Sequence, residues 1–236
     1  QRLDYDILGD DLARVLDALR VRDATVVAHS GAGGEAVRCI TRHGAGRIAR
    51  LLLLAPSLPF LIRADDNPEG IDPAMLETRC RTLRDDLPKW LADNGRPFVN
   101  PDTPQEVIAW VSAMVLSCSL KALVDFQRVI GETDFRAELA TLALPTAVIH
   151  GDRDVSAPLD FCGRRTAAIV PGATLTVYEG AAHGLMLTHA ERLAEDIATF
   201  AKARPRRAAR SRVQPAAQAD VMSAKASAAG MVASAA

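Results

Sequence analysis

Aromatic side chains are scarce in this 236-residue chain, at 4%, a bias of composition from which no function follows. An excess of either charge is missing too. Lys and Arg number 28 against 29 for Asp and Glu, a net charge of -1, which gives no electrostatic footing for nucleic acid, an anionic membrane or a polyanionic partner. No apolar run reaches the roughly 18 residues of a membrane span, so none is expected. The four cysteines, Cys39, Cys80, Cys118 and Cys162, form no CxxC pair and stand beside no ligand-spaced histidine, which argues against zinc. Cys39 and Cys118 lie in apolar helical runs, where buried free thiols are expected. With no charged-then-apolar leader ahead of the first helix, a reduced, cytoplasmic setting is the expectation.

What is present is core material. Apolar residues are 49% and charged residues 24%, the composition of one packed domain with room for an insertion. Tyr5, Leu8, Leu12, Val15, Leu16 and Leu19 recur at a helical period, with Asp4 placed as the N-cap. Ala24–Ala28 is continuously apolar and reads as a buried strand, and a helix follows Ser30 to about Arg42. Leu51–Leu54, Thr146–Ile149 and Leu175–Tyr178 read as further strands, with helices over Leu159–Ile169 and Leu187–Ala203. Strands alternating with helices predict a parallel α/β sheet. Residues 59–139 show helical stretches instead, near Pro73–Leu91 and Pro104–Ile130, and predict a helical cap inserted into a core made of residues 1–58 and 140–203. From Arg204 the chain runs to Arg, Ala, Ser and Gln without apolar period, and residues 204–236 are expected to be a disordered tail.

Three segments carry chemistry, each just past a strand. In Ala28-His29-Ser30-Gly31-Ala32, small residues two before and two after the serine suit a sharp strand-to-helix turn, with Ala where Gly is usual. His150-Gly151-Asp152-Arg153-Asp154 ends the third strand, and either aspartate could orient a histidine from there. Gly180-Ala181-Ala182-His183-Gly184 puts a histidine in a small-residue loop, suited to a general base. Each signal alone is weak. Their chain order of Ser, Asp, His is the order of an α/β-hydrolase.

Together with Arg42-His43-Gly44, Thr133-Asp134-Phe135-Arg136 and the run Pro59-Phe60-Leu61-Ile62-Arg63-Ala64-Asp65-Asp66-Asn67-Pro68-Glu69-Gly70, these segments resemble the cofactor-free haloperoxidase and aryl-esterase group of the α/β-hydrolases. The resemblance runs from about Tyr5 to Ala203. It implies an α/β-hydrolase fold: a mostly parallel sheet with helices on both faces and an inserted helical cap. It also implies Ser30 as nucleophile, Asp154 as acid and His183 as base, with the Gly31 N–H in the oxyanion hole. No haem, flavin or metal is called for. The implied substrate is a small ester, with peroxide able to replace water and yield a peracid.

Four strands and a second oxyanion amide, which the group carries ahead of the first helix, are not found in this sequence. A fragment or a shortened gene product is therefore expected, whose bare strand edge would aggregate or pair with a second copy. A non-catalytic remnant of the fold, and a lyase or C–C hydrolase on it, are the competing readings. Dehalogenase and epoxide hydrolase chemistry is disfavoured, because those enzymes carry a carboxylate where Ser30 stands. His29 is expected to point away from the site and support the turn, and His43 and His189 to lie at helix ends or on the surface. Trp90, Trp110, Met114 and Phe126 are candidates for the acyl pocket or for plain cap core.

Overall fold

The structure is a computed structural model and describes residues 2–203, so the expected tail lies outside the described residues. Helix α1 (Tyr5–Ala18) starts at Asp4, whose carboxylate accepts the Ile7 N–H at 2.8 Å and satisfies one of the donors a helix start leaves open. Strand β1 (Ala24–His29), helix α2 (Ala32–His43) and strand β2 (Ile48–Leu54) follow. Between β2 and β3 lie α3 (Pro73–Asp85), α4 (Leu87–Phe98), α5 (Gln105–Leu116), α6 (Leu120–Glu132) and the short α7 (Arg136–Ala140). Strand β3 (Thr146–Gly151), helix α8 (Gly163–Ile169), strand β4 (Thr174–Tyr178), the single turn α9 (Leu185–Thr188) and helix α10 (Ala190–Lys202) complete the order.

The four strands form one parallel sheet in the order β1-β2-β3-β4. Because side chains alternate along a strand, the leucine run of β2 supplies both faces. Leu51 and Leu53 join Val148 against α1, α2 and α7, while Leu52 and Leu54 join Ile149 and Tyr178 against α9 and α10. All four leucines are at most 3% exposed. The register aligns His29, Leu54, Ile149 and Thr176 in one row. Ser30, Asp154 and His183 all lie beyond that row, at the carboxyl ends of the strands, where open α/β sheets place their ligands.

Several expectations are revised. Strand β1 is not fully buried: Ala28 is, but Val27 is 40% exposed. Among the described residues it is the expected bare-edge strand, and the apolar cluster under α9 and α10 contains no β1 residue. The helical stretch expected near Pro73–Leu91 comprises two helices, α3 and α4, divided at Asp86, whose carboxylate caps the second by accepting the Lys89 N–H. The stretch at Pro104–Ile130 is likewise two, because Ser119 opens α6 as its N-cap. Cys118 falls in the turn between them and is exposed, whereas Cys39 is buried as expected. Helix α8 begins only at Gly163, and a separate turn precedes α10. Among the described residues no single helix is long and apolar enough to cross a membrane.

Candidate active site

Ser30 sits between β1 and α2 with φ of +56°, the left-handed region that costs a non-glycine residue roughly 1–3 kcal/mol. Its surroundings hold it there. The Ser30 N–H donates to Leu54 O at 2.9 Å, and its carbonyl accepts from Gly33 N at 3.1 Å and Ser57 N at 3.2 Å. The Tyr5 hydroxyl donates to Gly31 O at 2.8 Å from within the core, where burial raises its pKa well above the ordinary phenol value. Gly31 leaves room for α6: a Cβ there would lie 2.6 Å from Ile130 Cδ1 and 2.9 Å from Phe126 Cζ, so a larger residue would have to push those side chains aside. Helix α6 thus packs directly on the turn that presents the serine.

His183 joins this turn to the loop after β3. Its Nδ1–H donates to Asp154 Oδ2 at 2.6 Å, and its Nε2 lies 2.9 Å from Ser30 Oγ. Asp154 and His183 are each 4% exposed. The other carboxylate oxygen, Asp154 Oδ1, accepts the N–H groups of Ser156 at 2.9 Å and Ala157 at 2.8 Å. Burial alone would push the Asp154 carboxyl up, but the ring N–H donors of His150 and His183 outweigh it and hold the group far below the ordinary carboxylate range. The acid is therefore charged and its orientation over-determined. Asp152 takes no part: it is exposed and accepts the Gly180 N–H at 2.7 Å.

The C-terminal end of α4 and the residues after it strap the histidine loop. The Gly184 N–H donates to Phe98 O at 2.6 Å and the Ala182 N–H to Asn100 Oδ1 at 3.1 Å, so the amides on both sides of His183 are held. The Phe98 ring stands 5.5 Å from the His183 ring. His29 does not point away as expected. Its Nε2–H donates to the His183 carbonyl at 3.2 Å and its ring lies 4.7 Å from that of His183. Burial and the neighbouring His183 lower the His29 pKa to about 4.

The structure thus brings Ser30, Asp154 and His183 together and leaves Asp152 aside. Sequence reasoning assigned no role to His150, Ser57, Phe98 or Asn100. The His150 ring is fully buried, donates from Nε2 to Ala157 O at 2.7 Å, and places the same atom 3.1 Å from Asp154 Oδ2. Gly163 makes room for it, since a Cβ there would stand 2.4 Å from Nδ1. A histidine four residues before an acid was a usable signal. Nothing in the sequence marked Ser57 or Asn100, which reach the site only through the fold. Of the four candidates for the acyl pocket, Trp110 and Met114 face outward at 57% and 45% exposure, and only Phe126 is packed against the serine turn. Cys162 is buried, its thiol pushed up to about 12 by burial and by nearby Asp154, which leaves it inert as a nucleophile. Among the described residues no group of three or more His, Cys, Asp or Glu side chains is placed to hold a metal ion.

Comparison with known proteins agrees with this architecture. The alpha/beta hydrolase family profile matches residues 2–196. The non-heme chloroperoxidase CPO-A1 of Kitasatospora aureofaciens is 34% identical over 191 residues, 78% of this chain and 69% of that protein. The bifunctional esterase/perhydrolase of Acinetobacter calcoaceticus is 26% identical over 84% of this chain and 74% of its own. The crystal structure of bromoperoxidase from Bacillus anthracis superposes with a TM-score of 0.81 at 29% identity, covering 85% of this chain and 75% of that one. The parallel sheet, the turn that carries Ser30 and these relatives lead to one conclusion: the chain belongs to the α/β-hydrolase family, in the group of cofactor-free haloperoxidases and esterases.

Proposed function

We propose that the chain is a serine hydrolase of small carboxylic esters, with Ser30 as nucleophile, His183 as general base and Asp154 as the acid that orients it. One observation carries the reading: a single imidazole bridges a serine hydroxyl at 2.9 Å and a buried carboxylate at 2.6 Å, at the strand ends of a hydrolase-fold sheet. As Ser30 Oγ bonds to the ester carbonyl carbon, the carbonyl π pair moves to its oxygen and the serine proton passes to His183 Nε2. The oxyanion lies toward the Gly31 N–H, at the start of α2. His183 then protonates the departing alcohol. Water adds to the acyl-enzyme, giving its proton to His183, and Ser30 leaves the acyl carbon with that proton restored. Asp154 stays ionised throughout and stabilises the imidazolium.

Peroxide in place of water would add through one oxygen to the same acyl carbon and leave as a peracid. A relative named as an esterase/perhydrolase supports that branch. The helices α3–α6 act as the cap of this site, with Phe126 and Ile130 of α6 beside the nucleophile. The test is hydrolysis of p-nitrophenyl acetate by the wild-type chain and by Ser30→Ala. The variant is expected to lose about 10⁴-fold or more in kcat. Equal turnover by the two chains would remove Ser30 from the chemistry.

A further inference from the structure

Ser57 has no role in the chemistry described so far, yet its Oγ lies 3.1 Å from Ser30 Oγ. It is held there by the backbone. Ala55, at φ of +42°, turns the chain off β2 and donates its N–H to Ile149 O at 2.8 Å, Pro56 follows, and the Ser57 N–H donates to Ser30 O. Two hydroxyls facing each other leave open which one donates, and the rest of the site decides. The carboxylate of Asp154 can only accept, so His183 Nδ1 carries the proton between them. In the neutral ring Nε2 is then a bare acceptor, and Ser30 spends its one proton on it. Ser30 Oγ has lone pairs left but no proton, so the hydrogen bond to Ser57 runs from Ser57 to Ser30.

Resting on the reading of Ser30 as nucleophile, we propose that Ser57 is a further catalytic residue, a hydroxyl donor on the attacking oxygen. During attack, the Ser30 Oγ lone pair forms the bond to the acyl carbon while its proton goes to His183. During deacylation, the Oγ–carbon bond breaks, the bonding pair returns to Oγ and His183 hands the proton back. In attack, transfer of the proton to His183 runs ahead of the new bond, so Oγ is more electron-rich in that transition state than in the resting hydroxyl. In deacylation it is more electron-rich than in the acyl-enzyme, where the ester oxygen is a weak acceptor. Ser57 keeps its proton throughout. Its hydrogen bond strengthens where charge builds, which lowers both barriers rather than merely tightening substrate binding.

The experiment measures the rate of covalent labelling by a fluorophosphonate and the steady-state hydrolysis of p-nitrophenyl acetate, for the wild-type chain, Ser57→Ala and Ser57→Thr. Ser57→Ala is expected to slow labelling and kcat by about tenfold each with KM little changed, the scale of one ordinary hydrogen bond. Ser57→Thr, which keeps the hydroxyl but adds a methyl, is expected to recover most of both rates. A role in packing alone would not be rescued by the bulkier side chain. Labelling by Ser57→Ala at the wild-type rate or faster overturns the proposal, as does a Ser57→Thr variant no better than Ser57→Ala. If the wild-type chain is not labelled at Ser30, the nucleophile assignment falls and takes this proposal with it. A labelled wild type with indifferent Ser57 variants removes Ser57 alone.

Discussion

The strand ends and the inserted helices are built to different standards. At the strand ends Asp154 and His183 are almost fully buried, and both carboxylate oxygens of the acid have donors. On α5, by contrast, only Ile108 is buried, while Trp110 and Met114 face outward. Every group proposed to react is carried by a loop anchored in the sheet. The inserted helices and the segment after α4 contribute contacts to that machinery: Phe126 and Ile130 against the serine turn, Phe98 and Asn100 against the histidine loop. Reacting groups need fixed geometry, which a close-packed sheet supplies; a pocket wall needs only shape, which helices can vary at small cost.

The largest expected effect breaks the sheet side of this contrast. Asp154→Asn should lower kcat by about 10⁴-fold, because a carboxamide no longer fixes the imidazole tautomer, whereas Asp152→Asn should leave most activity. Equal losses in a p-nitrophenyl ester assay would mean that the exposed aspartate shares the role. The next effect is on stability. Leu53→Ala, fully buried between β1 and β3, should cost about 2–5 kcal/mol in denaturant unfolding, while Trp110→Ala on α5 should stay within about 0.5 kcal/mol. Comparable losses would show that α5 is as deeply built in as the sheet.

A smaller effect comes from pH. The pKa of His29 falls from the usual 6.5 to about 4 in the folded chain. Between those values the unfolded chain binds the proton first, so folding stability should decline as pH drops from about 6.5 to 4, and hold above 6.5. Thermal melts at pH 7 and pH 5 should therefore differ more for the wild type than for His29→Gln; an unchanged difference would rule out His29 as the cause. The smallest effect is expected on the helix side: Phe126→Ala should shift KM among esters of different acyl length while kcat for the acetate changes little.

The alternation of helix and strand, the Asp4 cap, all four strands and the Ser, Asp, His order were legible because each rests on a local pattern. Leucines at 51–54 read as a strand whatever lies around them. Where the reading missed, a distant part of the chain made the difference. Val27 has the same apolar character as Leu52, but it lies on an edge strand beyond the reach of α9 and α10. Trp110 and Met114 are apolar enough for a core, yet among the described residues no element covers the outer face of α5. The break at Asp86 was readable, since an aspartate two residues before Pro88 is a helix start as well as a polar position in a longer helix. Ser57 and Asn100 gave no signal at all, for a lone serine or asparagine means nothing until the fold sets it beside Ser30 or Ala182.

The central claim is that one serine, raised on the turn after β1 and bonded to His183, is the nucleophile. Labelling the wild-type chain with a fluorophosphonate, followed by mass spectrometry of the digested protein, tests it most directly. The adduct should fall on the peptide containing Ser30, at one equivalent per chain, and be absent from Ser30→Ala. An adduct on another residue, or one that persists in Ser30→Ala, would contradict the account.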